Sequence, residues 1–216
     1  YIHIFLKTLK FNRLKSFDDG AANIHVGGMF FKNPYVVNII RPKIVEHFTI
    51  YHGMDNVVPV EKIKNINLFW NIADSKNQSY SNVVKMFIGQ PYQEFMDDYN
   101  FDLFQKIFAH MDIDFYFKHP REKYEYQNVE YVDSDDIFEV YLEQYLSQNP
   151  DTKVEIYSFF SSVVFNVPRN DRIKLICFTT DELYNKYKSL YDLMRELNID
   201  VHYKYLININ DVEKSC

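Results

Sequence analysis

Hydrophobic and polar positions are most legible in the second half of the chain. Val83–Ile88 is a mostly apolar run that stops at Gly89-Gln90-Pro91, and such a run bounded by turn residues predicts a buried strand. Phe101, Phe104, Ile107 and Phe108 then recur at helical spacing and predict a helix. Ile113–Phe117 predicts a second strand, running into Lys118-His119-Pro120-Arg121-Glu122. Asp133 or Ser134 can cap the next helix, with Asp135 and Asp136 in its first turn. Ile137, Tyr141, Leu142, Tyr145 and Leu146 make its apolar face, and Asn149-Pro150 ends it. Val154–Phe160 predicts a third strand, ending at Ser161-Ser162, and Ile173–Phe178 a fourth. Thr179 and Glu182 stand at capping-box spacing before a stripe of Leu183, Tyr187, Leu190, Tyr191, Met194 and Leu197. A last strand is predicted at roughly 199–206.

Strand and helix alternate, which implies a parallel sheet covered on both faces. Residues 82–216 therefore read as one Rossmann-like domain of the α/β class. Sheets of this kind bind ligands outside the carboxyl ends of their strands. Three polar clusters fall at such ends: Gly89-Gln90-Pro91, His119-Pro120-Arg121 and Ser161-Ser162. Helix patterns follow the first two, which would offer helix N-termini to an anion. A ligand carrying a phosphate is the expectation.

The first 72 residues parse less clearly. Tyr1–Leu6 reads as a strand, and Ser16-Phe17 leads into Asp18-Asp19-Gly20. Ile24–Phe31, containing Gly27-Gly28, reads as a strand with a close backbone approach. Phe48–His52 has a short extended pattern. Residues 73–81, polar from Ala73 to Ser79, read as a linker between a segment 1–72 and the domain 82–216. The opening YIHIFLK, strand-like and without Met, reads as the later part of a longer protein.

Composition narrows the class. The chain has 216 residues, 47% hydrophobic and 25% charged, which fits a globular protein that builds its core without disulfide or metal staples. Nineteen Phe and 18 Tyr accompany many Asn, Lys and Ile, while Gly and Pro number only 5 and 7. A/T-rich codons explain that skew, so the aromatics in bulk are no functional signal; Phe159 and Phe160, beside the serines, are the ones to watch. Net charge is −6, the opposite of a nucleic-acid binder's basic footprint. Cys177 and Cys216 cannot make a disulfide framework. Cys177 lies in the apolar run IKLICF as a small hydrophobe, and a reducing cytoplasm is the expected compartment. No apolar run approaches bilayer length, and no secretory signal is visible.

Chemistry can be placed on a few clusters. Adjacent Asp18 and Asp19 before Gly20 can host a general base, because repulsion and burial raise a carboxyl pKa toward neutrality. The same pair can bind a divalent metal through oxygen, and as a bare tripeptide it is equally a solvated turn. His119 at a strand end can give a proton or a hydrogen bond to a phosphate, with Pro120 fixing the turn. Ser161 and Ser162 carry hydroxyls suited to phosphate oxygens. His110 reads as a core or helix-end residue. His47 and His52 have no Cys or His partner at zinc spacing. No G-x-S-x-G elbow, Rossmann glycine fingerprint or P-loop occurs.

Taken in order, the clusters resemble a known family. Phe17-Asp18-Asp19-Gly20-Ala21-Ala22-Asn23 matches an FDDGxxN motif. The segment from Phe48 to Asn56, then Gly89-Gln90-Pro91, His119-Pro120-Arg121, and Glu155-Ile156-Tyr157-Ser158-Phe159-Phe160-Ser161 complete the series. The chain is similar, over residues 1 to about 205, to the bacterial lipooligosaccharide sialyltransferases of glycosyltransferase family 52. The resemblance implies a GT-B fold, two Rossmann-like domains facing a cleft, with 1–72 the end of an incomplete N-terminal, acceptor-side domain and 82–216 the CMP-binding one. It implies an inverting transfer of sialic acid from CMP-sialic acid to a terminal galactose of a lipooligosaccharide or capsule-type glycan, with an α-2,3 linkage. His119 would then assist the departing phosphate as acid or charge-stabilising donor. Ser161 and Ser162 would hold phosphate oxygens, with Phe160, Pro120 and Arg121 lining the nucleotide. Glu155 would reach ribose hydroxyls, and Gly89, Gln90 and Pro91 would let backbone approach the nucleotide. The base would be Asp18 or Asp19; the competing acids are Glu94, Asp97 and Asp98, because some relatives carry an aspartate close to the Gly89-Gln90-Pro91 turn, where this chain has Tyr92 and Gln93 first. No metal or other cofactor is expected, and nucleic acid is not an expected partner. A homodimer and peripheral association with the inner face of a bacterial inner membrane are compatible with the same reading. The rival readings are another GT-B glycosyltransferase, a polysialyltransferase, or a non-catalytic nucleotide-binding relative.

Overall fold

Two parallel β-sheets organise the chain. The computed structural model describes residues 11–18, 20–25, 28–66, 80–97 and 99–202. The chain divides into two compact units, Tyr1–Phe69 and Trp70–Cys216. The strand expected at Tyr1–Leu6 and the linker stretch as far as residue 79 lie outside the described residues. So do Asp19, Asp98 and everything from residue 203 onward.

In the first unit, β1 (Leu14–Phe17), β2 (Ile44–Thr49) and β3 (Ile63–Asn65) pair in the order β1-β2-β3, all parallel. Ile44, Val57 and Val58 form a small core against which Leu14, Phe30 and Phe31 pack. The stretch 24–31 is not the expected strand. Its described residues are the end of a turn, through His25, and then Gly28 leading into the short helix α1 (Met29–Lys32), with Gly28 N–H to His25 C=O at 2.7 Å and Phe31 N–H to Gly28 C=O at 3.2 Å. The apolar density that suggested a strand is used to seat two adjacent phenylalanines on the core. The extended pattern at Phe48–His52 is only the end of β2, after which the chain bends.

The second unit follows the predicted alternation. Its elements are β4 (Asn82–Ile88), α2 (Phe101–His110), β5 (Phe115–Phe117), α3 (Phe138–Gln148), β6 (Thr152–Ser158), α4 (Val163–Asn166), β7 (Ile173–Phe178), α5 (Asp181–Glu196) and β8 (Asp200–His202). The five strands are all parallel, in the order β5-β4-β6-β7-β8. After β4 the chain steps to one side to form β5, then returns past β4 to form β6. The crevice at the carboxyl ends of β4 and β6 is therefore the topological switch point, the ligand position of open parallel sheets.

Alternation along the strands sorts the two faces. Phe87 stacks on Tyr116 with ring centroids 5.5 Å apart, and Phe108 of α2 meets Phe87 edge-on at 4.8 Å. Phe115 and Phe117, on the other face of β5, pack against Tyr145 and Phe138 of α3. Much of the aromatic excess is thus core: Phe87, Tyr92, Phe104, Phe108, Tyr116 and Phe159 are all at most 2% exposed. Cys177 is also buried, and that burial pushes its thiol up to about 12.

Helix starts depart from expectation by a few residues, for local reasons. α3 begins at Phe138, because Ser134 Oγ takes the Asp136 N–H at 3.1 Å in a turn that precedes the helix. Ile137 is its N-terminal flank and 64% exposed, not part of the apolar face. α5 is capped by Thr180, whose hydroxyl accepts the Leu183 N–H at 3.1 Å. Thr179 is buried beneath it, and Glu182 accepts the Asp97 N–H at 3.0 Å instead of closing a capping box. β6 stops at Ser158, two residues early, because Phe159 turns into the aromatic core. β5 covers only the last three residues of its predicted run.

Candidate functional site

The carboxyl ends of β4, β5 and β6 carry the three polar clusters, and side chains bind these turns to one another. Gln90, after β4, is 8% exposed, and its Oε1 accepts the Phe160 N–H at 2.9 Å. The two turns that flank the switch point are thereby tied. Beyond β6, Ser161 Oγ accepts the Val163 N–H at 3.3 Å. The Phe160 ring stacks on Tyr187 with centroids 4.1 Å apart. Tyr187 is the one residue of α5 with non-helical dihedrals, φ −123° and ψ 29°.

After β5 comes a tight turn. Glu122 N–H donates to the His119 carbonyl at 2.9 Å, closing residues 119–122. Pro120 holds the second position, where its fixed φ suits the turn. Within the turn Arg121 N–H donates to His119 Nδ1 at 3.1 Å. A backbone amide can only donate, so Nδ1 is an acceptor and the neutral ring carries its hydrogen on Nε2. Burial, and then the charge of Arg121, hold the imidazole below its usual pKa, with Glu94 pulling the other way. Arg121 Nη1 meets Glu94 Oε2 at 2.5 Å, and Gln93 Nε2 donates to the Arg121 carbonyl at 3.3 Å. The first turn and the histidine turn are bridged at the surface as well as below it.

Below it sits Glu122, a residue that sequence reasoning passed over as part of a charged turn. It is 6% exposed. Its Oε1 accepts the Tyr116 hydroxyl at 2.6 Å, and its Oε2 accepts the His119 N–H at 3.3 Å. Burial raises its carboxyl to about 7, although the hydrogen bonds from Tyr116 and the His119 amide and the charge of Lys118 act against the shift. Gly89 lies against this pair. A Cβ there would stand 2.3 Å from Glu122 Oε2 and 2.6 Å from Tyr116 Cε1. This internal contact by itself requires a glycine here.

Two further expectations change. No helix N-terminus follows either of the first two clusters directly. A 3₁₀ turn, Tyr92–Glu94, follows Pro91, and α2 begins only at Phe101. After His119 the next helix is α3 at Phe138. An anion at these strand ends would be met by side chains and turn amides instead. Glu155 lies apart from the three turns, three residues before the end of β6 and roughly 10 Å along the strand. Its carboxylate accepts the Tyr157 hydroxyl at 2.6 Å.

In the first unit Asp18 follows β1 directly. Its side chain is 5% exposed. Oδ1 accepts from Asn23 Nδ2 at 3.1 Å and from His47 Nε2 at 3.0 Å, and Oδ2 accepts the Ile50 N–H at 3.0 Å. His47, 1% exposed, meets the Ser16 hydroxyl through Nδ1 at 3.0 Å. Burial alone would raise the Asp18 carboxyl, but hydrogen bonds from His47, Thr49, Asn23 and Ile50 outweigh it and hold the pKa below its ordinary value. This is the reverse of the raised base expected from the motif. Gly20 supplies the left-handed turn residue that ends the motif, at φ +67°.

The structure therefore brings Gly89, Gln90, His119, Arg121, Phe160 and Ser161 into one linked set of turns, and it commits Asp18 to a hydrogen-bond network of its own. Neither His47 nor Glu122 could be found by spacing. His47 is 29 residues from Asp18 and joins it only through strand pairing. Among the described residues no three His, Cys, Asp or Glu side chains gather as a metal site. Nor is any described helix long and apolar enough to cross a membrane.

Comparison with known proteins agrees with the motif order. The family model described as glycosyltransferase family 52 matches residues 1–182. A CMP-N-acetylneuraminate:beta-galactoside alpha-2,3-sialyltransferase of Pasteurella multocida (strain Pm70) is 31% identical, over 93% of this chain and 68% of that protein. An N-acetyllactosaminide alpha-2,3-sialyltransferase of Haemophilus influenzae is 30% identical, over 94% of this chain and 68% of that protein. A third, of the same name, from Neisseria meningitidis serogroup A, is 23% identical over 93% of the chain and 58% of its own length. With a family model over most of its length and relatives of this identity, the chain belongs to glycosyltransferase family 52.

Proposed function

We propose that this chain is an inverting α-2,3-sialyltransferase that moves sialic acid from CMP-sialic acid to a terminal galactose of a lipooligosaccharide or capsule-type glycan. The architecture this reading takes is GT-B, with the donor held mainly by the C-terminal unit. The observation that carries it is the histidine turn beside the switch point. His119 has Nδ1 engaged by the Arg121 N–H, one strand away from the Gln90–Phe160 tie. That leaves a neutral Nε2–H as the reactive face of the ring.

In the reaction a base takes the proton of the acceptor hydroxyl. Its oxygen bonds the anomeric carbon as the bond from that carbon to the phosphate oxygen breaks, and the electron pair leaves with CMP. Negative charge grows on the departing phosphate, so a hydrogen bond from His119 Nε2 strengthens as the transition state is reached. A donor role suits this ring better than full proton transfer. A second ring proton, on Nδ1, would face the Arg121 N–H donor to donor, and the depressed proton affinity points the same way. Ser161 and Ser162 supply hydroxyls to the same phosphate, and no metal is needed for this charge. Phe160 and Gln90 shape the switch-point wall, with Pro91 and Pro120 stiffening the turns. Glu155, bonded within its strand, is left out of the donor site.

For the base this reading takes Asp19 of the motif pair, with Asp97 and Asp98 the competing acids. Asp18 already accepts hydrogen bonds on both oxygens and binds protons weakly, which suits it to hold the motif and not to abstract a proton. Glu94 is engaged by Arg121. The reading is tested by incubating the full-length protein with CMP-sialic acid and lactose. Sialyllactose should form with CMP release well above donor hydrolysis. Release that does not depend on lactose, with no sialylated product, would sink it.

A further inference from the structure

We propose that Glu122 is a positioning residue for His119: its side chain ties the His119 backbone and the Tyr116 hydroxyl to the sheet beside Gly89, and so sets where the imidazole stands. The inference rests on the donor role given to His119 above and extends it to a residue that touches no substrate.

Both polar backbone groups of His119 are held by this one residue. The His119 carbonyl accepts the Glu122 N–H at 2.9 Å, and the His119 N–H donates to Glu122 Oε2 at 3.3 Å. The other carboxyl oxygen is anchored by Tyr116 at 2.6 Å. Tyr116 belongs to β5 and is 0% exposed. The anchor therefore reaches into the rigid core of the sheet. On its third side the carboxyl group is pressed against Gly89, which leaves it no room to swing. The next strand end is fixed in turn, because Gln90 grips Phe160. Without the Glu122 side chain, the described side-chain bonds from the turn to its surroundings would be those at the surface, Gln93 to the Arg121 carbonyl and Arg121 to Glu94. A misplacement of about 1 Å in a catalytic group can cost on the order of 100-fold in rate.

Burial disfavours charge on this carboxyl, and the groups that face it offset that only in part. From β5 and its turn come Tyr116, Lys118 and the His119 amide. Tyr92 faces it from beyond β4, and Tyr126 and Tyr131 from the segment after the turn. All of these tyrosines are kept protonated by burial. His119 itself is faced by Arg121 and Glu94.

Two variants of the full-length protein test the proposal, Glu122→Ala and Glu122→Gln. Alanine removes the acceptor for the His119 N–H. It should lower kcat by about 10- to 100-fold while the donor KM stays within about threefold, because the bond from His119 matters most as charge leaves. Glutamine restores an acceptor to the amide without charge and should recover kcat to within several-fold of wild type. Equal kcat for the two variants, or an alanine variant within twofold of wild type, would overturn the role. Should the alanine variant fail to fold, ¹⁵N-histidine spectra of wild type and Glu122→Gln decide. The His119 ring nitrogens of the wild type should shift through a step near pH 7, as Glu122 takes its proton, in addition to the ring's own titration at lower pH. Glu122→Gln should lack that step, and a wild type without it would count against the coupling. The spectra need no turnover, so absence of sialyl transfer would remove the functional reading while leaving the positional claim to stand or fall on them.

Discussion

Replacing Gly89 by alanine should damage the protein more than a single methyl group suggests. The new Cβ would begin 2.3 Å from Glu122 Oε2, 2.6 Å from Tyr116 Cε1 and 2.7 Å from Tyr116 Oη. Ordinary contacts lie near roughly 3.5 Å, so something must retreat by about 1 Å. Tyr116 cannot retreat cheaply. It is fully buried, stacked on Phe87, and edge-on to Phe108 at 5.3 Å. The carboxylate must then give way, which breaks its bond to the tyrosine or to the His119 amide. Overpacking costs about 1–3 kcal/mol, and a lost hydrogen bond to a charged group about 1.5–3 kcal/mol. The sum is about 2.5–6 kcal/mol, which for a chain of this length lowers the melting temperature by roughly 5–24 °C.

Thermal unfolding followed by circular dichroism measures this directly, and a double-mutant cycle isolates its cause. If the clash with the carboxylate dominates, Gly89→Ala should cost much less in a Glu122→Ala background. The coupling should then be about 1 kcal/mol or more. Refutation would be a Gly89→Ala protein that melts within about 2 °C of wild type, or single effects that add to within about 0.5 kcal/mol.

Other perturbations test other parts of the site. Glu122 has a folded pKa of about 7, above its unfolded value of about 4.3, so the folded state binds the proton more tightly. That contribution is complete below about pH 4 and is lost as pH rises through about 7. The melting temperature of wild type should accordingly fall between pH 5 and 7 relative to Glu122→Gln, and a constant difference across that window would contradict the buried-carboxyl argument. For Asp18 the sign is opposite. Its lowered folded pKa stabilises the protein above the unfolded value, about 3.9, and the benefit is lost as pH falls through the folded one. Asp18→Asn sets an amide against donors and should cost about 1–3 kcal/mol at pH 7 by urea unfolding, with the gap to wild type closing only below about pH 4; an equal gap at pH 3 and pH 7 would refute the assignment. Finally, His119→Ala should lower the transfer rate by roughly 100-fold or more with an unchanged melting temperature, and undiminished transfer would remove His119 from the reaction.

Sequence periodicity revealed the second unit well because its strands are buried on both faces. The runs Val83–Ile88 and Ile173–Phe178 are buried along most of their length, with Val83 and Lys174 the exposed positions, and the latter matches its strand residue for residue. The first unit was harder to read, since two of its three described strands are short and partly exposed. Leu14–Phe17 alternates intermediate and exposed positions, so it has no apolar signature. The stretch Ile24–Phe31 misled for a different reason: two adjacent phenylalanines look like a strand, yet a single helical turn can seat them equally well. Caps shifted where two candidates stood side by side, as at Thr179 and Thr180, because only tertiary burial decides which one turns inward. In the site itself, His119, Gln90 and Ser161 could be located from strand ends alone. What stayed hidden was whatever depends on register across the sheet: the His47–Asp18 bond, and the carboxyl group of Glu122 beneath Gly89.

The chemistry of the site also follows from the charge of the whole chain. At a net charge of −6, the protein's long-range field repels an anionic sugar nucleotide. Recognition must then come from groups close to the phosphate, where screening by water and salt is weakest. Arg121 is a poor candidate for that task, since its guanidinium is already paired with Glu94. His119 is kept neutral by the turn that orients it. The donors the proposed reading relies on are directional and uncharged: an imidazole Nε2–H, serine hydroxyls and turn amides. Such donors stabilise charge only when aimed at where it develops, so their value depends on placement. On the proposed reading, that dependence is what makes the buried Glu122 and Gln90 ties matter to the reaction. A site that attracted its donor by net charge could tolerate a loose turn. A site of the proposed kind, relying on aimed hydrogen bonds, requires each turn to be held from within the sheet.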